Sequence, residues 1–265
     1  QLAAHRAGGR AGSVARLRAD AIDILIDALF LRAGPAAAAL SLVATGGYGR
    51  AELCPLSDID LLVLVPRHSA ANKALVESIL YPLWDLGLKV GQSVRTVTES
   101  TNYAKDDLHL HVALLETRHL CGSAELFAQL QAKVAALLGG QAWRPFARAI
   151  VESQRKRREK AGGSAYLQEP DLKNGVGALR DVQGCVWIAL TAGAASGAGG
   201  LEGSGFLPSV DLRKFEEARQ VLLRLRCELH FQVTRPTEQL SLERQDTVAE
   251  ALGYPGTLTQ RIGAM

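Results

Sequence analysis

The sequence predicts an α+β fold, with strands and helices up to about residue 138 and only helices after it. Three observations carry this. Two short apolar runs, Leu42 to Ala44 and Leu61 to Val65, lie on either side of a Gly-Gly turn and read as neighbouring strands. An alternating run, 88–97, reads as a third. Beyond Gly139-Gly140 the apolar residues recur at helical spacing instead.

In order along the chain, Leu17, Ala21, Ile24, Leu25, Ala28 and Leu29 fall at helical spacing within 13–33. Ser13 is the expected N-cap, and Gly34-Pro35 the stop. Strands are expected at 40–45 and 59–65. Residues 70–87 form a helix with Leu75, Ile79, Leu83 and Trp84 on one face, and Pro82 is expected to kink or break it. After the third strand come helices at 106–119 and 123–138. A further helix runs to Arg158 and ends in the charged run 155–160, read as a solvated face. The stretch 161–181 is irregular, and 191–205 is low-complexity and expected to be a mobile loop. A long amphipathic helix spans 210–235, closed by Pro236. The domain boundaries follow: an N-terminal helix over 1–36, a catalytic domain over 37–138 and a helical domain over 139–265.

Composition narrows the class. Apolar content of 48% and charged content of 22% over 265 residues suit a soluble globular protein with a sizeable core. A net charge of +3 and 5% aromatics give no case for nucleic acid. No apolar stretch is long enough to span a membrane; Ala21 to Leu31 is short and interrupted by Asp23 and Asp27. The four cysteines, Cys54, Cys121, Cys185 and Cys227, lack metal-site spacing and read as reduced thiols of a cytoplasmic protein. The chain opens on Gln1 and is expected to be a piece of a longer protein.

The chemistry concentrates in LVATGGYGRAELCPLSDIDLLVLV, residues 42–65. Gly46-Gly47 lets the backbone turn sharply and approach a ligand, with Gly47 expected at positive φ. Ten residues on, Asp58 and Asp60 open the second strand two apart, so they share a face while Ile59 enters the core. Two adjacent carboxylates repel unless a cation sits between them. Oxygen-only ligands suit Mg²⁺ or Mn²⁺, which take one or two carboxylates plus substrate phosphates. A glycine turn offering N–H groups to phosphate, beside such a pair, is the machinery of nucleotidyl transfer.

The pattern resembles the nucleotidyltransferase superfamily, and GGYGRAELCPLSDIDLL is similar to the catalytic segment of the bacterial PII uridylyltransferase family. A second segment, Glu169-Pro170-Asp171-Leu172-Lys173-Asn174-Gly175-Val176-Gly177-Ala178-Leu179-Arg180-Asp181-Val182-Gln183, is similar to the family's EPNxKxGPGGLRDxH, as are the upstream Tyr166 and basic stretch. The resemblance implies a mixed sheet, transfer of UMP from UTP to a tyrosine of the PII signalling protein, and Mg²⁺ (or Mn²⁺) on Asp58 and Asp60. The family's Pro-Gly-Gly stands here as Val176-Gly177-Ala178, its terminal His as Gln183, and the His of its strand-three Gly-His-Ser-Val-Arg-Thr as Gln92. These departures leave any role of those histidines without a bearer. The resemblance also implies a His-Asp phosphohydrolase domain elsewhere in the full family member. This chain contains no His-Asp dipeptide, so only the transferase half is assigned to it.

Residue by residue, Asp58 and Asp60 are the expected metal ligands and catalytic pair. Gly46 and Gly47 are expected to hold the β- and γ-phosphates. Ser57 either donates to the triphosphate or caps the turn. Arg95 on strand three is the preferred phosphate ligand there; Lys89 reads as a solvated edge charge. Arg50 either reaches phosphate or pairs with Glu52. Lys173 is expected to close over the nucleotide from the helical domain; Arg180 either joins it or ties down the loop with Asp181. Strand three offers Ser93 and Arg95 where a third carboxylate is expected, so the base that takes the tyrosine proton is unassigned. His109 and His111 do not share a helix face and read as surface or boundary residues. Two other functions stay open: an adenylyl- or other nucleotidyltransferase for a different acceptor, and a nucleotide-binding sensor without activity.

Overall fold

In the computed structural model, the structure describes residues 11–193, 208–256 and 260. The fold is α+β. A four-stranded sheet is formed by β1 (Ser41–Ala44), β2 (Ile59–Leu64), β3 (Val90–Arg95) and β4 (Arg118–Gly122), in the order β3-β2-β1-β4. β1 is antiparallel to β2 and β4, while β2 and β3 are parallel, so the sheet is mixed.

Side-chain alternation divides the sheet into two apolar faces. Ile59, Leu61 and Val63 of β2 pack with Leu42 and Ala44 of β1. Onto them come Ile22, Ile26 and Leu29 of α1 (Ala11–Arg32) and Val76, Ile79, Leu80 and Leu83 of α3 (Ala70–Asp85). The other face presents Val43, Leu62 and Leu64. It is covered by α4 (Val97–Asp106), α5 (Leu108–Leu115) and α6 (Ala124–Leu138), through Val97, Ala104, Leu114 and Leu130.

Several local readings change. The described part of α1 already includes residue 13, so Ser13 is not its N-cap. α3 runs on through Pro82 to Asp85. Proline removes the donor that would serve the carbonyl four residues back. That carbonyl, of Ser78, instead accepts from Arg32 Nη2 at 3.3 Å. The segment expected as one helix over 106–119 is divided. α4 starts earlier, at a capping box of Thr96 and Glu99, and Asp107 caps α5 by accepting from His109 N at 2.8 Å and Leu110 N at 3.3 Å. Residues 118–122 then leave the helical path as β4, which supplies the outer partner of β1 with a bulge opposite Leu42/Val43.

The helices after residue 139 are α7 (Trp143–Lys160), α8 (Leu179–Thr191), α9 (Ser209–Gln232) and α10 (Leu242–Ala251). Val112 of α5, Ile150 of α7 and Trp187 of α8 form one contact with the sheet region. Ala15 of α1, Cys54, Leu179, Leu223 and Cys227 form another. Residues 194–207, which include most of the expected mobile loop, lie outside the described residues. No helix among the described residues is long and apolar enough to cross a membrane.

Candidate active site

The glycine turn is a four-residue helix, α2 (Gly46–Gly49), between β1 and the loop leading to β2. Its first closing bond is Gly49 N to the Thr45 carbonyl at 2.9 Å, so the Gly46 and Gly47 amides precede the helical ladder. Tyr48 is fully buried and anchors the turn by donating to Asp23 Oδ1 at 2.6 Å. Arg118 of β4 grips the same carboxylate at 2.6 and 3.1 Å. The residue at positive φ is Gly46, at 55°, not Gly47. The expected strain at Gly47 is therefore absent, and a Cβ there would meet ordinary contacts at 3.6 and 3.8 Å.

Asp60 lies on the same face of β2 as Leu62 and Leu64, beside Gly91 in the parallel register. Its carboxylate fits between two glycines. A Cβ on Gly46 would approach Oδ2 at 3.1 Å, and one on Gly91 would approach Oδ1 at 3.0 Å. Asp58 precedes the strand and is exposed. Burial, and then the neighbouring Asp58 charge, push the Asp60 carboxyl above its ordinary value, while Lys173, Arg50 and Arg180 pull it down. The pair is thus close enough to repel, as its spacing predicts.

The loop carrying Asp58 is docked on α9. Leu56 N donates to His230 Nδ1 at 3.3 Å, the Cys54 and Cys227 sulfurs lie 3.2 Å apart as free thiols, and Arg219 pairs with Glu52. Ser57 N donates to the Cys54 carbonyl at 2.9 Å, yet Ser57 Oγ is buried without a hydrogen-bond partner among the described residues. It does not cap the turn.

Arg50 is committed. Nε donates to Glu52 at 2.6 Å and Nη1 to Glu116 at 2.6 Å, and Glu116 also accepts from Trp187 Nε1. Burial disfavours the Arg50 charge, but the two carboxylates outweigh it and raise its pKa. Arg50 is thus a buried tie between the glycine turn and α8, not a free phosphate ligand.

Arg95 is not beside the carboxylates. It pairs in register with Leu64, four residues from Asp60, or roughly 13 Å along the strand. Its guanidinium lies 5.0 Å from the Tyr103 ring centroid. The strand is regular here, with no bulge at Gly91, and Lys89 is exposed. Neither Ser93 nor Arg95 brings an acid to the pair, and Glu99 is held by the capping box at the far end.

The segment 171–181 reaches the site from the helical side. Asp171 Oδ1 accepts from the amides of Lys173 at 2.8 Å and Asn174 at 2.6 Å, which sets the turn. Lys173 is half-buried, 3.8 Å from Glu238 and close enough to Asp58 and Asp60 for their charges to register. Burial first, then Arg226, lowers its pKa. Arg180 donates to Gln183 at 2.9 Å and lies 5.4 Å from the Trp187 ring centroid. The residues that tie the loop to Asp181 are Arg157 and Arg158, not Arg180. Arg157 also donates to the Asn174 carbonyl, so this part of the charged run is structural rather than solvated. A cavity of about 950 Å³ opens between the two regions, lined by Gly46 on one side and by Asp171, Asn174 and Arg180 on the other.

Two readings elsewhere also resolve. His111 is buried and stacked on Phe146 at 3.9 Å, and burial lowers its pKa to about 4; His109 is exposed. Residues that no local pattern announces, Arg219, Cys227 and His230, hold the Asp58 loop from α9. The one available signal is the density of polar residues on an amphipathic helix.

Among the described residues no three or more His, Cys, Asp or Glu side chains form a metal-holding group. Two carboxylates and no third ligand suit a hard cation that completes its shell with substrate phosphate and water. The donor set thus fits Mg²⁺ or Mn²⁺ and does not fit a closed structural metal site.

Residues 34–114 match the family described as nucleotidyltransferase domain, and residues 145–262 match GlnD PII-uridylyltransferase. The chain is 39% identical over 84% of its length to a bifunctional uridylyltransferase/uridylyl-removing enzyme of Cereibacter sphaeroides. It is 38% identical over 81% to that of Rhodospirillum rubrum and 38% over 87% to that of Bordetella avium. It spans only about a quarter of their lengths, 24%, 23% and 27%. With both segments matched, the chain belongs to the PII-uridylyltransferase family of nucleotidyltransferases.

Proposed function

We propose that this chain catalyses transfer of UMP from UTP to a tyrosine of the PII signalling protein, in nitrogen regulation. The observation that carries the reading is the Asp60 carboxylate set between Gly46 and Gly91, repelled by Asp58 and facing Lys173 and Arg180. The tyrosine oxygen attacks the α-phosphorus. As that bond forms, the bond to the bridging oxygen breaks, and its electron pair leaves with pyrophosphate. The phenolic proton passes to solvent.

A Mg²⁺ ion on Asp58 and Asp60, when bound, offsets charge developing on the phosphate oxygens. The amides of Gly46 and Gly47 bind phosphate oxygens at the turn, and Ser57 Oγ supplies a further donor. Lys173 and Arg180 approach from the helical side and bind the nucleotide across the cleft. Arg95 has no part in this assignment.

The test is transfer of labelled UMP to PII with wild-type protein, Asp58→Asn and Asp60→Asn, alongside a screen of UTP, CTP, ATP and GTP. Loss of transfer in both variants with retained melting temperature supports the reading. Normal turnover in either variant removes the catalytic assignment, and preference for another nucleotide changes the substrate.

A further inference from the structure

The proposed function uses the glycine turn and the 171–181 segment, which line two sides of the cavity. Beside the 171–181 segment the cavity is lined by α7, which contributes Glu152, Ser153, Lys156, Arg157 and Lys160. Their spacing of three, four and seven residues places them on one helix face. The three cations differ in their commitments. Arg157 is used by Gln154, Asn174 and Asp181. Lys156 has one long pairing, 3.5 Å from a half-buried Glu152 that Arg155 already engages at 2.7 Å. Lys160 has no hydrogen-bond or ion-pair partner among the described residues.

The acids facing the same space are Glu116, Glu152 and Asp171, and Glu152 is shared between Arg155 and Lys156. Glu116 serves Arg50 and Trp187, and Asp171 serves the amides of Lys173 and Asn174. The α7 lining therefore carries more positive charge than its one acid, Glu152, offsets, in the same cavity as a turn whose first amides also favour an anion.

We propose that Lys156 and Lys160 bind the β- and γ-phosphates of the bound nucleoside triphosphate. This rests on the reading of Asp58 and Asp60 as the site of the α-phosphate. With that phosphate near Asp60 and Gly46, the polyphosphate tail extends into the cavity toward α7. Lysines suit this role because a mobile ammonium group can follow a flexible polyanion without fixed fork geometry. The charged run is then divided by function along one helix. Arg157 and Arg158 hold the 174–181 segment, while Lys156 and Lys160 face the ligand.

Calorimetry on the intact protein separates this from a structural role, with UTP, UMP and inorganic pyrophosphate as titrants and Mg²⁺ present. Lys160→Ala should weaken UTP and pyrophosphate binding about fivefold, and the Lys156→Ala/Lys160→Ala double variant about twentyfold, with UMP affinity unchanged. Both residues are exposed, so the melting temperature should stay at the wild-type value. Unchanged UTP affinity in the double variant overturns the assignment, as does an equal loss for UTP and UMP. Failure of the wild-type protein to bind UTP at all overturns the underlying reading instead, and takes this one with it.

Discussion

Gly91→Ala separates activity from stability at one methyl group. Gly91 sits on an edge strand with an extended backbone, where alanine is sterically allowed. Replacing a strand glycine whose backbone alanine can adopt reduces the freedom of the unfolded chain, stabilising by roughly 0.4–1 kcal/mol. The added Cβ meets Asp60 Oδ1 at 3.0 Å, against an ordinary contact of 3.4 Å or more. The carboxylate must therefore yield by about 0.4 Å. Since a misplacement of about 1 Å can cost on the order of a hundredfold, a shift of this size should cost about tenfold in turnover. Expected, then, is a variant melting at or slightly above wild type and transferring UMP about ten times more slowly, with UTP affinity changed less. Gly46→Ala is the contrasting control. It crowds Oδ2 at 3.1 Å and also places a side chain at φ 55°, so it should lose activity and about 1 kcal/mol of stability together. Full activity in Gly91→Ala would show that the exact position of the Asp60 carboxylate does not limit the reaction.

Glu116→Ala leaves Arg50 with one carboxylate and the Trp187 N–H without its acceptor, and should cost about 3–5 kcal/mol in urea denaturation; a cost under about 1 kcal/mol would refute the tie. Burial favours protonation of Glu238, but Arg226 and His230 outweigh it and hold the carboxyl at about 2, below its ordinary 4.5. A lowered folded-state pKa gives stability that is present above pH 4.5 and lost as pH falls toward 2. Thermal melts should show that acid slope, and Glu238→Gln should flatten it. Lys173→Ala should weaken UTP binding about tenfold and leave uridine unaffected, by calorimetry. Gln183→Leu removes the acceptor for Arg180 and should raise KM for UTP more than it lowers kcat; an unchanged KM would show that Arg180 needs no such positioning.

Much of the catalytic half was legible because its signals are local. Gly46, Asp58 and Asp60 lie within one turn and one strand start, and the apolar run of β2 is buried on both faces of the sheet. Arg95 lies away from the pair for a non-local reason. Its face follows from alternation, but its distance from Asp60 follows from the parallel register of β2 and β3, which no short stretch encodes. Gly91 does carry a local signal, since a glycine inside a strand marks the close approach of another group, here the Asp60 carboxylate. The missed α4 was announced by Thr96-x-x-Glu99, whereas β4 has no alternating pattern, being half-buried along its whole length. The contributions of Arg219, Cys227 and His230 had only the polar density of α9 as a signal, because they arise where α9 meets a loop more than 150 residues earlier.

The departures from the family pattern fall where they leave the carboxylate pair untouched. Gln92 pairs in register with Leu61, so its side chain lies on the α1–α3 face of the sheet, opposite Asp60 and Gly91. A histidine there in relatives would face the same way. Gln183 is buried and keeps a hydrogen-bond acceptor on Arg180. At 176–178 the one glycine retained, Gly177, is the one at positive φ, 78°, and its amide is held by Asp181 at 2.7 Å. Val176 and Ala178 flank that turn without being needed at a left-handed position. The substitutions thus respect the backbone and polar contacts that bring Lys173 and Arg180 toward Asp60. That selectivity favours a working transferase over a sensor that has lost its chemistry, because a site released from catalysis has no physical reason to keep a buried, repelled carboxylate wedged between two glycines.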